Sequence, residues 1–211
     1  MNNRDANHEN LIREMLDNDI VKFGNFTLKN GRQSVAYVNL RDMISIPSLF
    51  RQATSAYADT LGKSGLMNKP DGSMRFLAGI PEAVVYYAGA VAEKINAPLL
   101  QRRVKAKEHG QPRAVEGRFK RGDEVVLLDD VITTASSKLE EVSALGEFGL
   151  RVTGVTVLVD RQQGGSKELK AHDLDFATVL TLGEIASYAY ENNLANMTQT
   201  LYDDLLGELN T

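Results

Sequence analysis

The chain has 211 residues, no cysteine, 24 lysines and arginines against 28 aspartates and glutamates, and a net charge of −4. Without thiols, disulfides, thiolate metal sites and cysteine nucleophiles are excluded, and the slight acidity argues against general nucleic-acid binding. Hydrophobic residues make up 43%, no apolar run reaches membrane-spanning length, and the start Met1-Asn2-Asn3-Arg4-Asp5 is polar, so the expectation is one soluble, cytoplasmic α/β domain without a membrane partner.

Residues 7–22 read as an amphipathic helix with Leu11, Ile12, Met15, Leu16 and Ile20 on one face. Residues 25–41 read as two short strands around the turn Lys29-Asn30-Gly31-Arg32. The spacing predicts a helix over 48–63, a turn at Lys69-Pro70-Asp71-Gly72-Ser73 and a strand from Arg75 to Ile80. That strand enters Pro81-Glu82 and then an apolar helix from Ala83 to Lys94. Such a strand–turn–helix junction suits phosphate, and here the contact must come from backbone N–H groups, since Glu82 and Ala83 carry no cation. Pro98-Leu99-Leu100-Gln101 reads as another short strand.

Between Arg102 and Arg121 stand Arg102, Arg103, Lys105, Lys107, Arg113, Arg118, Lys120 and Arg121, against only Glu108 and Glu116. A solvated loop is the ordinary reading of a charge run. Low apolar content, His109, and glycines at 110 and 117 fit a lid that closes over a polyanion instead.

The most informative stretch follows: Val125-Val126-Leu127-Leu128, then Asp129-Asp130, Val131-Ile132, and the small residues Thr133, Thr134, Ala135, Ser136 and Ser137. The apolar run suits a strand buried on both faces of a parallel sheet. From Lys138 a helix is expected, with Leu139, Val142, Leu145 and Phe148 recurring every third residue and Gly149 as its stop. The loop between strand and helix offers successive N–H groups and hydroxyls at a positive helix end, a nest for a phosphate monoester. Asp129 and Asp130 lie too close upstream to be phosphate ligands; they suit sugar hydroxyls or a share in holding Mg²⁺. A ribose 5-phosphate matches both ends. An Asp-rich turn with a Ser/Thr helix cap is the plainer alternative. Beyond it, Gly154 to Val159 reads as a strand and 183–209 as one or two amphipathic helices.

Asp129-Asp130-Val131-Ile132-Thr133-Thr134 resembles the phosphoribosyl pyrophosphate (PRPP) motif of type I phosphoribosyltransferases, with Ala135 where the family usually has Gly. A methyl group there is expected to crowd the backbone's approach to the phosphate. Phe26-Thr27-Leu28-Lys29-Asn30-Gly31-Arg32 resembles the hood segment of orotate phosphoribosyltransferases, with Val35 in place of the usual Pro and Ala36 where bulkier residues are common. Arg103-Val104-Lys105-Ala106-Lys107-Glu108-His109-Gly110 resembles their catalytic loop, and Val115-Glu116-Gly117 its exit. Val159-Asp160-Arg161-Gln162-Gln163-Gly164-Gly165 resembles their Val-Asp-Arg-Glu-Gln-Gly-Gly.

The resemblance runs from roughly residue 10 to the C-terminal helix and implies one domain over 1–211 of the type I phosphoribosyltransferase fold. That fold is α/β, a mostly parallel central sheet flanked by helices, with a small hood from about residues 1–45. The implied reaction is orotate plus PRPP giving orotidine 5′-monophosphate and pyrophosphate, in pyrimidine biosynthesis. PRPP would meet Lys29, Arg103, Lys107, His109 and the run from Asp129 to Ser137; orotate would meet Tyr37, Val38, Thr133 and Arg161. Lys107, Arg103, Lys105, His109, Asp129 and Asp130 carry the catalytic expectation. Mg²⁺ is expected to be held mainly by PRPP, and the protein to be a homodimer. A phosphoribosyltransferase for another base, or a PRPP-binding regulator without turnover, are the alternatives.

Overall fold

The structure, a computed structural model, describes residues 6–27, 31, 33–103 and 114–209. Helix α1 (Ala6–Asp17) buries Leu11, Ile12, Met15 and Leu16. It stops short of the expected residue 22 because Asp19 turns left-handed, at φ 59°, and the Ile20 N–H returns to the Met15 carbonyl at 2.9 Å. The chain then enters β1 (Val21–Thr27), which pairs antiparallel with β2 (Gln33–Val38). A 3₁₀ turn at Leu40–Ser45 leads into α2 (Pro47–Ser64), where Pro47 occupies a first-turn position that needs no N–H.

The remaining elements alternate: β3 (Phe76–Gly79), α3 (Val85–Ile95), β4 (Leu99–Arg102), β5 (Val115–Glu116), β6 (Glu124–Ile132), α4 (Ser136–Glu147), β7 (Arg151–Asp160), α5 (Gly165–Ala171) and β8 (Asp175–Thr181). Two helices close the chain, α6 (Leu182–Glu191) and α7 (Gln199–Leu209). The larger sheet has the order β5-β4-β3-β6-β7-β8. Its pairs are parallel except β4 with β5.

Strand β6 is central and buried on both faces, which is why its sequence shows no alternation. Val126 and Leu128 join the apolar cluster of α1, α2, α3, α6 and the hairpin. Val125 and Leu127 join the opposite cluster, under α4 and α5. Each such leucine or valine contributes about 1.5–3 kcal/mol by leaving water.

Helix α4 departs from its predicted stripe. Its buried residues are Lys138, Glu141 and Leu145, whereas Leu139, Val142 and Phe148 pack only partly against the core. Two charged side chains therefore point inward, and each proves to have a partner at the site.

All parallel strands end at one edge, which aligns Gly79 with Leu128, Ile132 with Asp160, and Asp160 with Thr181. Three loops that carry chemistry thus meet there. Helix α5 comes against the second of them because residue 165 has no side chain. A Cβ at Gly165 would lie 2.6 Å from Ile132 Cγ1 and 3.0 Å from the Thr133 carbonyl oxygen. Gly165→Ala should therefore cost about 1–3 kcal/mol by overpacking and loosen the loop after β6. Urea denaturation of the variant tests this; an unchanged midpoint would mean that α5 shifts freely.

Candidate active site

The loop from Thr133 to Ser137 lies between β6 and α4, as its composition requires. Thr134, Ser136 and Ser137 are exposed and Thr133 is half-buried, so the hydroxyls face solvent at the helix's positive end. Thr134 Oγ1 and Ser136 Oγ stand 3.4 Å apart. The loop is tied down from behind. Gly165 N–H donates to the Thr133 carbonyl at 3.1 Å, and Ala135 N–H donates to Glu168 Oε2 at 2.9 Å.

Ala135 corrects an expectation. It is buried, has an ordinary φ of −84°, and packs in the apolar cluster with Ile132 and Leu145. Its methyl points into the core, so it does not crowd a phosphate. Its N–H, which the nest was expected to offer, is already engaged by Glu168.

The two carboxylates divide. Asp130 is half-buried at the open edge of the strand, its Oδ1 accepting from Val131 N–H at 2.7 Å. Asp129 is buried. Its Oδ1 accepts from Asp130 N–H at 2.9 Å, and its Oδ2 pairs with Lys138 Nζ at 2.7 Å. The same ammonium donates to the Val131 carbonyl at 2.6 Å. As folded, then, one carboxylate is left open, not two. Burial, offset in part by Lys138, lifts the Asp129 carboxyl to about 6. Beneath it the Tyr57 hydroxyl donates to the Asp129 carbonyl at 2.7 Å. Burial and the neighbouring Asp130 and Asp129 charges hold that phenol protonated, well above its ordinary range.

Arg161 follows directly on β7 and its N–H bonds the Ile132 carbonyl at 2.9 Å, which seats it beside the loop. The side chain is buried and crosses to the hairpin, with Nη2 3.2 Å from Ser34 Oγ and 3.5 Å from the Ala36 carbonyl oxygen. Tyr37, next on the hairpin, is 42% exposed and packs on Phe26 with ring centroids 5.7 Å apart; Val38 is half-buried. At the end of β4, Arg102 lays its guanidinium on buried Glu141 of α4, with Nε 2.8 Å from both carboxylate oxygens. Arg103 pairs with Glu116.

Lys29, Lys105, Lys107 and His109, with Arg32, Val104 and Arg113, lie outside the described residues. A cavity of about 570 Å³ lined by Ser64, Arg75, Lys170 and Asp175 opens at the opposite, amino-terminal edge of the sheet. Its arginine is taken up by Glu124 and the Leu66 carbonyl, so it offers nothing to the site.

No family model matches the chain. The orotate phosphoribosyltransferase of Natronomonas pharaonis is 34% identical over 180 residues, covering 85% of this chain and 97% of that protein. This chain belongs to the orotate phosphoribosyltransferase family. The uridine 5′-monophosphate synthase of Bos taurus is 33% identical over 181 residues, 86% of this chain, but the chain spans only 36% of that longer protein. Among solved structures, the UMP synthase of Leishmania donovani matches with a TM-score of 0.79 at 32% identity, over 96% of this chain and 42% of that one.

As an orotate phosphoribosyltransferase relative, the chain places at its site several residues that its motifs did not single out. Lys138, Glu141, Glu168, Ser34 and Tyr57 all touch the loops, yet none belongs to a quoted motif in a chemical role. A signal existed for two of them: Lys138 and Glu141 are three apart, so both fall on one helix face.

The buried pair sets a pH dependence. Between the ordinary 3.8 and about 6, folded Asp129 keeps a proton that the unfolded chain has released, so this residue makes stability fall as pH rises through that window. Replacing Lys138 by Met removes the attraction that limits the shift. The decline should then continue through neutral pH, leaving Lys138→Met near wild type at about pH 5 and roughly 2–3 kcal/mol weaker at about pH 8. Urea midpoints at the two pH values check this; parallel curves for the two proteins would refute it.

Proposed function

We propose that the chain transfers the 5-phosphoribosyl group of PRPP to orotate, giving orotidine 5′-monophosphate and pyrophosphate. One observation carries this reading. Arg161 is joined by its backbone to the end of β6 and by its side chain to the hairpin, so a carboxylate clamp stands beside a phosphate loop. A guanidinium fork matches a planar carboxylate with two parallel hydrogen bonds. Membership of the family adds the expectation that this carboxylate is orotate's.

The open hydroxyls of Thr134, Ser136 and Ser137 take the 5-phosphate, and Asp130 accepts from the ribose hydroxyls. In the reaction the bond from C1 of the ribose to the diphosphate oxygen breaks, its electron pair leaving with the diphosphate. The ring N–H of orotate gives up its proton to the departing diphosphate or to water, and the electron pair on that nitrogen forms the new bond to C1. Positive charge develops on the ring and negative charge on the leaving group, so the protein's work is positioning and charge stabilisation. Lys29, Arg103, Lys105, Lys107 and His109 are the proposed partners of the leaving group, with Lys107 foremost. Among the described residues no three acidic or histidine side chains converge as a metal site. Asp130 can supply at most a share of the Mg²⁺ coordination, the rest coming from PRPP oxygens, and the ion would add positive charge at the diphosphate. A homodimer and a cytoplasmic location belong to the same reading. Tyr86 and Leu99, 65% and 39% exposed on neighbouring α3 and β4, are side chains that an intersubunit contact would cover.

Mixing the protein with PRPP, Mg²⁺ and orotate should deplete orotate's ultraviolet absorbance. Arg161→Lys should raise the orotate KM by about tenfold or more and leave the PRPP KM within about twofold, because an ammonium cannot reproduce a two-pronged contact. An unaltered orotate KM in the folded variant removes Arg161 from the site.

If Lys107 serves the partner's site, Lys107→Ala and Asp130→Asn subunits, each nearly inactive alone, should complement each other. Random mixing puts about half of the dimers in hybrids with one intact site apiece, so roughly a quarter of wild-type activity should return. Demonstrated subunit exchange with no recovery would place Lys107 in its own subunit's site.

A further inference from the structure

Glu208 lies in the last turn of α7, 174 residues along the chain from Ser34, yet its carboxylate grips the hairpin. Oε1 accepts from the Val35 N–H at 2.9 Å, and Oε2 lies 3.2 Å from Ser34 Oγ. Ser34 is only 3% exposed. Its single hydroxyl hydrogen is shared between Glu208 Oε2 and the Ala36 carbonyl, 3.1 Å away. Its lone pairs accept from Arg161 Nη2 at 3.2 Å and from the Ala36 N–H at 3.3 Å. The chain of contacts runs carboxylate, hydroxyl, guanidinium. It joins the last helix, the hairpin and the residue after β7, three segments with no covalent proximity.

Packing alone does not call for this arrangement. Strand β2 and α7 meet mainly through apolar side chains, with Val35, Ala36 and Leu205 in one buried cluster. A carboxylate placed at such a junction is costly unless it is hydrogen-bonded. Here its two oxygens engage the strand's backbone and a hydroxyl that touches Arg161. Fixing Ser34 fixes one side of the guanidinium, and hence the direction in which its fork can point.

We propose that Glu208 is a positioning residue for the base site: by clamping Ser34 and Val35 it sets where Arg161 presents its guanidinium to the substrate carboxylate. The inference rests on reading Arg161 as that clamp. It assigns α7 a part in base recognition, although α7 carries none of the motifs.

The test uses the full chain with Glu208→Ala, Glu208→Gln and Ser34→Ala, beside Arg161→Lys. Hydrogen exchange of the peptide covering 33–38, read by mass spectrometry, reports the clamp itself; initial rates report KM and kcat for each substrate. For Glu208→Ala, exchange should quicken and the orotate KM should rise about tenfold, the scale of a lost hydrogen bond to a charged group. The PRPP KM and kcat should stay within about twofold. Glu208→Gln keeps an acceptor for the Val35 N–H and should restore most of the loss, which a merely bulky filler would not explain. Ser34→Ala should raise the orotate KM in the same direction, and the double variant should be no worse than the weaker single one, since both act through one hydroxyl. Should Glu208→Ala fail to fold, the Gln and Ser34 variants carry the same comparison. Unchanged exchange at 33–38 overturns the clamp. Faster exchange with an unchanged orotate KM, or an equal rise for both substrates, overturns the positioning role. If Arg161→Lys leaves orotate binding intact, the base-site reading falls and the role falls with it; a raised KM there beside a normal one in Glu208→Ala sinks the role alone.

Discussion

An ammonium group buried under the end of the central strand holds the site together. Lys138 Nζ lies within 2.7 Å of both the Asp129 carboxylate and the Val131 carbonyl, and it reaches them from the first turn of the helix that follows the loop. Strand end and helix start are thereby tied together beneath the loop they flank, independently of anything bound above it. Such a pair is not a source of great stability, because removing two charges from water costs nearly what their attraction returns. Its effect is geometric: with Asp129 drawn inward, the next residue must face the other way, and Asp130 is left at the open edge. One strand thus supplies one carboxylate to the interior and leaves the other open through nothing more than the two-residue alternation of its side chains.

The same helix reaches the end of β4 through Glu141. Its grip on Arg102 fixes the last residue of β4, the point from which the basic segment departs. Helix α4 is therefore charged on the face where its sequence suggested leucine and valine, and its inward charges serve two different loops. On the far side of the loop, Glu168 and Gly165 of α5 do comparable work with neutral partners, holding Ala135 N–H and the Thr133 carbonyl.

Much of the fold was legible because it depends on local rules. Val125–Leu128 reads as a doubly buried strand from its unbroken apolar run, and the small residues after Ile132 mark the loop without any tertiary information. The first helix was read too long, since nothing in Asn18-Asp19 announces a left-handed turn as a glycine would have. Short elements such as β5, with two residues, and α5, with seven, lie below the length at which periodicity speaks. At the site, motifs single out residues by their chemistry, whereas the side chains that hold the loops in place carry no such signal in the sequence. Lys138 and Glu208 look like ordinary surface charges in sequence; only packing reveals that one is buried and the other hydrogen-bonded to a distant strand.

The two ends of the site differ in how they are assembled along the chain. The proposed phosphate end is nearly contiguous, from Asp129 to Lys138, with its own contacts seven and nine residues apart and its ties to α5 and Tyr57 no more than 72 residues apart. The proposed base end closes across 127 residues between Arg161 and Ser34, and across 174 between Ser34 and Glu208. Loop closure of that span is slow compared with local structure, and a chain emerging from the ribosome cannot complete it until α7 has been made. Phosphate affinity should therefore arise early in folding and base recognition last, so that a chain still being synthesised holds the common half of its chemistry before the half that distinguishes one base from another.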